Sequence, residues 1–521
     1  MKLKLILRLA VCVSVILLCA VFGIYSFLWF SAEEHRQDFD LYTLVPQDAV
    51  AVLETDRLGE LVTGIDSMRC SREGHYLYAS DLFVYLKEGI YALLKEAPHG
   101  LSVQMDKMLL SFHAPDNPMN QVLYCAMGSG DYELVESFIR KYSQGVFPYK
   151  NSDYEGATIR IYPLTDGKFL AVYLTRDFLV VSLQKRLVEQ VIDAMRKKKS
   201  LHHLESFRNL QGEHHNHAVA TIYLRMKQVE MGKAQDSLTT KAPVGGWTAY
   251  DLKLEEEAIY CSGITRDTDN ENTFVHMLKQ QQPMSVDFGM LLPSTTLFYS
   301  GFSMTDKAQL WNFFTRQSAV TDSVSAARWL AFLEDYTEKR GMTAVFGSPQ
   351  QPDSVKACAV LSLPLTRPEG VENYLASAGT RFRGGHQEEM RYFHLSDATL
   401  FTALTGISAS DGVYATVLSG YLVLSSSPDS LTAYARLLRS GSVLEGDPTY
   451  EQMLHTLSST CRFLMMADVS RLLQQPEEYW HLLPSYIVQH ARFFRSFVVA
   501  IQFTSAEEMV FPNMVLSYRS E

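Results

Sequence analysis

The stretch FLAVYLTRDFLVVSLQKRLVEQVIDAMR, residues 169–196, decides how this chain is read. Two apolar runs flank Thr175-Arg176-Asp177, which predicts a tight hairpin. Apolar positions at helical spacing follow from Leu183 to Arg196. A Ser-Leu pair, Phe207 and the strand-like AVATIYL complete the unit. A second copy begins at Tyr414: YATVLSGYLVLSSSPDSLTAYARLL, then Val443-Leu444, Tyr450 and CRFLMMA. Leu179-Val180-Val181-Ser182 and Leu422-Val423-Leu424-Ser425 lie 243 residues apart, as do Phe207 and Tyr450.

Other pairs extend the repeat. LVPQDAVAVLETDRLGEL around Pro46 is echoed by LLPSTTLFYSGFSMTDKAQL around Pro293. Val135 to Ile139 is echoed by Val371 to Leu375, and Glu257 by Glu508. LYCAM and KACAV place Cys125 and Cys358 in corresponding strands. Spacings drift between 236 and 251 while the order of elements holds, which loop insertions permit. Short, hairpin-like connections favour antiparallel pairing. The expected architecture is α+β: an N-terminal transmembrane helix followed by two tandem antiparallel-sheet-plus-helices domains. The expected boundaries are a cytoplasmic tail at 1–8, an anchor at 9–30, a linker at 31–42, repeat 1 at 43–282 and repeat 2 at 283–521.

The anchor rests on an uncharged run from Leu9 to Phe30, preceded by Lys2, Lys4 and Arg8. Its 22 residues would span about 33 Å as a helix, enough for a hydrocarbon core of about 30 Å. Tyr25, Phe27, Trp29 and Phe30 resemble an interfacial aromatic belt. Leu18 before Cys19 is wrong for lipoprotein processing. The charge asymmetry places Met1 in the cytoplasm and the bulk outside, so residues 9–30 would make the membrane contact of a single-pass inner-membrane protein.

The xPxDAVAVLE-like opening, the anchor and the FLVVS-helix-Ser-Leu-Phe order resemble bacterial proteins of the domain-of-unknown-function 3352 family. That resemblance implies an anchored extracytoplasmic protein. It implies no activity and assigns no catalytic residue.

Motifs that carry chemistry have blander readings. Ser182-Leu-Gln-Lys185 spells the S-x-x-K of serine acylases, but Ser182 sits where a strand gives way to a helix, a capping position. Glu213-His214-His215-Asn216-His217 is the densest ligand cluster, with His202 and His203 upstream. Neutral imidazoles suit zinc, copper or nickel. Yet the spacing is not H-E-x-x-H, and the second copy has no counterpart, so His214, His215 and His217 read first as a solvated loop. Arg196 to Lys199 reads as a helix end, and Glu255-Glu256-Glu257 as a hairpin turn. The cysteines outside the span, Cys70, Cys125, Cys261, Cys358 and Cys461, read as small buried hydrophobes. Pro476 to Phe494 reads as a helical stretch broken at Pro484.

A net charge of −11 argues against nucleic acid as partner. No phosphate loop, dinucleotide fingerprint or G-x-S-x-G is present. The expectation is a non-enzymatic, membrane-anchored interaction or scaffold protein of the bacterial envelope, without cofactor, its partner an envelope protein or a lipid. A carrier for an apolar ligand is the alternative, and an enzyme without a recognisable motif is the third reading.

Overall fold

The computed structural model describes residues 39–519 except 73–106, 114–116, 118, 129–130, 143–148, 165–166, 212–217, 227–228, 232–239, 243, 266–271, 318–321, 348–356, 383–390, 476 and 507–508. The first half supplies β1 (Ala51–Thr55), β2 (Met108–Phe112), β3 (Gln121–Ala126), β4 (Lys150–Tyr154), β5 (Ala157–Pro163), β6 (Phe169–Leu174), β7 (Phe178–Ser182) and β8 (Ala220–Arg225). It continues with β9 (Val229–Met231), β10 (Thr240–Ala242), β11 (Trp247–Leu254) and β12 (Ala258–Thr265). The second half supplies β13 (Met284–Ser285), β14 (Thr296–Ser303), β15 (Arg340–Gly347), β16 (Ala357–Pro364), β17 (Thr380–Phe382) and β18 (Tyr392–Leu395). Its last strands are β19 (Val413–Leu418), β20 (Tyr421–Ser425), β21 (Thr460–Cys461), β22 (Phe463–Asp468), β23 (Phe497–Ala506) and β24 (Met509–Tyr518).

Twenty of these strands share one antiparallel sheet, while β9 pairs with β10 and β13 with β21. From neighbour to neighbour the first half runs β4-β5-β6-β7-β3-β2-β1-β8-β11-β12. The second half runs β17-β18-β19-β20-β16-β15-β14-β22-β23-β24. The orders correspond strand for strand, and so does the register. Val52 lies between Ser111 and Tyr223, and Tyr299 lies between Ala344 and Met466. Leu123 faces Val181, and Leu361 faces Leu424. Even the entries match. Pro46 bridges Ser200 and Pro293 bridges Val443, while Leu201 N–H donates to Val45 O and Leu444 N–H to Leu292 O, both at 2.8 Å.

The halves are not separate tandem domains, which corrects that expectation. The corresponding strands β12 and β24 pair antiparallel with each other, Cys261 facing Met514 and Ala258 facing Ser517. Each half alone would leave that strand's backbone donors and acceptors bare at an edge. Joining edge to edge satisfies both at once, in the self-complementary manner of a two-fold interface. Gly263 lies at this seam, where a Cβ would fall 2.3 Å from Pro512 O and 2.7 Å from the Tyr250 ring.

Helices cover both faces, which is why β3, β7, β14 and β16 are buried along their whole length. On one face the helices Lys185–Lys197 and Pro428–Arg439 place Leu187 and Val191, and Leu431 and Tyr434, against the sheet. On the other, Leu58–Ser67 and Asp131–Tyr142 cover the first half, and Lys307–Gln317, Ser323–Tyr336, Pro368–Ala378 and Thr399–Thr405 cover the second. The expected break at Pro484 is present: a 3-10 turn at Glu477–Leu482 gives way to helices Ser485–Gln489 and Ala491–Phe494, packed into the core.

The expected transmembrane helix, signal anchor and single-pass inner-membrane placement find no support among the described residues. Among the described residues no helix is long and apolar enough to cross a membrane. Ser323–Tyr336, at 14 residues, reaches about 21 Å against a core of about 30 Å. The segment 9–30 lies outside the described residues.

Candidate functional site

A cleft of about 1150 Å³ opens in the second half, beside the helices Pro428–Arg439 and Pro448–His455. One wall is the turn carrying Asp287, Gly289, Met290 and Leu291. It is pinned from two sides: Tyr434 Oη donates to Leu291 O at 2.7 Å, and Glu445 N–H to Gly289 O at 3.3 Å. The lining also includes Arg391, Phe393, Val417 and the β19–β20 turn. There Ser419 (φ 51°) and Gly420 (φ 85°) both take left-handed backbone, the geometry of a two-residue hairpin turn.

Seven charged residues line the cleft: Asp287, Arg340, Glu372, Arg391, Arg439, Glu445 and Glu451. Arg340 pairs with Asp287, and its guanidinium lies 5.8 Å from the centre of the Phe288 ring. Burial alone would raise the Asp287 carboxyl, but hydrogen bonds from Ser285 and Arg340 hold it below its ordinary value. Arg391 donates to Glu372 Oε2 at 2.8 Å. Between the charges, Met290 is 65% exposed, and Leu438 and Leu454 are half-buried. Tyr450 forms part of the lining although it is itself buried, with its hydroxyl beside that of Tyr299. Burial pushes its phenol up to about 12, so it stays neutral at physiological pH.

The sequence reading missed this cleft. Its residues come from turns, strands and helices spread between Val286 and Leu454, and none belongs to a compact motif.

The candidates raised from sequence fare differently. His214, His215 and His217 lie outside the described residues. Among the described residues no group of three or more His, Cys, Asp or Glu side chains could hold a metal ion. Ser182 is fully buried; its hydroxyl donates to Gln121 O at 2.6 Å and accepts from Gln184 N–H at 3.1 Å. The helix therefore starts at Lys185 with Gln184 as its N-cap, and Ser182 ties strand to strand. Lys185 turns away to Glu189 at 2.8 Å, so no Ser-Lys pair forms. All five described cysteines are buried.

One further constellation has the connectivity of a hydrolytic triad. Ser111 Oγ lies 2.9 Å from His113 Nε2, and His113 Nδ1 lies 3.2 Å from Asp48 Oδ1. Its polarity is inverted. A nucleophile must meet substrate while the carboxylate orients the imidazole from behind. Here Ser111 is fully buried and also contacts Tyr124 Oη at 3.1 Å, whereas the Asp48 side chain is 57% exposed. The relay faces the core, which makes it a structural bridge between β2 and the 46–50 loop.

Among solved structures the chain is similar to crystal form III of TP0453, with TM-score 0.25 and 10% identity over 47% of this chain and 88% of that one. It is similar to crystal form I at TM-score 0.22 and 9% identity, covering 45% and 81%. Likenesses of this size carry no argument about function. No curated protein matches the chain. A family model matches residues 106–344, a region that begins at β2 and ends within β15, the counterpart of β2. Over that region the chain is similar to the family described as "Protein of unknown function (DUF3352)", the family its motifs resemble.

Proposed function

We propose that the protein is a non-enzymatic interaction module that docks a polypeptide segment in the cleft of its second half. The observation that carries this reading is the composition of the cleft wall. Exposed Met290 and the half-buried leucines alternate with arginine and carboxylate side chains already set in pairs. Methionine, tyrosine and arginine around an apolar floor are the residues enriched where proteins meet. A hydrocarbon ligand would strip water from seven charged groups with nothing to replace it, at high cost. The inverted polarity of Ser111, His113 and Asp48 speaks against hydrolysis.

The test is site-directed photocrosslinking in cells, with a benzophenone residue replacing Met290 or, as control, Val324, which is 76% exposed on the helix Ser323–Tyr336. A discrete protein adduct from position 290 and none from 324 supports docking in the cleft. Native mass spectrometry that finds a retained apolar small molecule instead would overturn it.

A further inference from the structure

The sheet ends at β4 in the first half and at β17 in the second; among the described residues β4 pairs only with β5, and β17 only with β18. β17 is three residues long. β4 is five, Lys150-Asn151-Ser152-Asp153-Tyr154, and its side chains at 150, 151 and 153 are exposed. Hairpin geometry names the main-chain groups on its open side. Glu155 (φ 50°) and Gly156 (φ 76°) make a two-residue turn into β5, which sets Tyr154 and Ala157 as a hydrogen-bonded pair. Such pairs recur every second residue, at Ser152 with Ile159 and at Lys150 with Ile161. The far side of β5 agrees. Leu164 N–H donates to Lys168 O at 2.9 Å, so the even-numbered residues of this strand turn towards β6 and the odd-numbered ones towards β4. Asn151 and Asp153 therefore aim their N–H and C=O groups outward from the edge, where an antiparallel strand would meet them. No bulge interrupts the β4–β5 register, and β4 contains no proline.

The molecule already joins edges in this way, since the corresponding strands β12 and β24 pair antiparallel with each other. We propose that the β4 edge is a homodimerisation surface, at which β4 pairs antiparallel with β4 of a second copy about a two-fold axis at Ser152. Only residues with outward main-chain groups can bond across the axis. A register centred on Asp153 sets like charges opposite each other, and one centred on Asn151 leaves Asp153 opposite Tyr149, outside the strand. Centred on Ser152, Asn151 of each copy meets Asp153 of the other, and each such pair exchanges both main-chain bonds. The Asp153 carboxylate has one oxygen on Thr158 Oγ1 at 3.0 Å and a second to accept the Asn151 amide. On the opposite face Lys150 meets Tyr154 of the second copy rather than another lysine, on the side where the Tyr154 hydroxyl donates to Asp193. The strand is thus complementary to itself read backwards, as a two-fold contact requires. This surface is separate from the cleft and does not depend on what docks there.

Sedimentation velocity of the full chain and disulfide trapping test this. The wild-type chain is expected to dimerise reversibly with concentration. Asn151→Pro deletes an outward donor and spares the bonds to β5, so it should weaken the dimer about tenfold or more while the melting temperature stays near that of the wild type. Ser152 faces itself across the axis as a non-hydrogen-bonded pair, with Cα atoms about 4.5 Å apart, within disulfide reach. Ser152→Cys should therefore oxidise to a covalent dimer. Asp153→Cys, which meets Asn151 and not itself, should not, and the wild-type chain controls for its native cysteines. A chain that stays monomeric at every concentration overturns the proposal, as does a dimer indifferent to Asn151→Pro, or equal trapping through positions 152 and 153. Where Asn151→Pro fails to fold, the two cysteine variants decide. Assembly that grows past the dimer overturns it too, and points to β4 meeting β17 of the next copy, a head-to-tail contact that does not close.

Discussion

Ser182 and Ser425 make the same hydrogen bond in the two halves of the sheet. Each hydroxyl donates at 2.6 Å to a carbonyl on the adjoining strand, Gln121 O for Ser182 and Ala359 O for Ser425, and each residue is fully buried. A buried acceptor that loses its donor costs about 1–3 kcal/mol. Ser182→Ala and Ser425→Ala should therefore each lower stability by about that amount, and by similar amounts, in urea titrations. Neither serine, nor Ser111, should be labelled by a fluorophosphonate. Labelling of any of the three would restore the enzyme reading.

The seam between the halves makes a steric prediction. Gly263→Val puts carbon against Pro512 O and the Tyr250 ring, and the Pro512 backbone cannot move without disturbing the β12–β24 ladder. Overpacking of this kind costs about 1–3 kcal/mol or more. Hydrogen exchange should show β12 and β24 losing protection first. Gly59→Ala is the control, since nothing lies within 4 Å of the added carbon and the position is helical. It should be neutral or stabilising by up to about 1 kcal/mol.

Acid should unfold the protein through specific carboxylates. The Asp48 carboxyl is lowered first by its hydrogen bond with His113. Burial would raise Asp397, but bonds from Thr399, Ser325 and Arg328 outweigh it and hold it low. Asp287 is low for the reasons given above. A carboxyl depressed in the folded state adds stability above its unfolded pKa, and that stability is lost as pH falls through the folded value. Urea midpoints should be level near neutrality and fall below about pH 4, where free aspartate titrates. Asp397 also accepts from Trp329 Nε1 at 2.9 Å, so Asp397→Asn should lower the plateau and flatten the acid limb.

The thiols should be inert in the folded protein. Burial pushes Cys125, Cys261 and Cys461 up to about 12, so almost no thiolate exists at pH 8. Iodoacetamide should leave all five described cysteines unmodified, while in denaturant all seven cysteines of the chain react. Reductant should leave the melting temperature unchanged, because none of the five is bridged.

Much of the local structure was legible in order. The hairpin around Arg176, the helix after Ser182, the break at Pro484 and the apolar runs around Cys125 and Cys358 all follow from periodicity and turn chemistry. The spacing of 243 residues pointed to real counterparts, since Phe207 and Tyr450 are both buried behind corresponding helices. The capping role given to Ser182 was half right. Its hydroxyl does accept from Gln184 N–H, but its stronger bond crosses to another strand, and sequence neighbours carry no information about that partner.

What the sequence determined by itself is the alternation and repetition of apolar positions, because side-chain periodicity is set within a single strand or helix. Which strands lie side by side is decided by contacts between segments hundreds of residues apart. Only the tertiary structure shows β12 meeting β24 to make one sheet of two halves. Only the tertiary structure brings Met290, Arg391 and Tyr450 to one cleft, since each reaches it from a different element and none advertises the others in sequence.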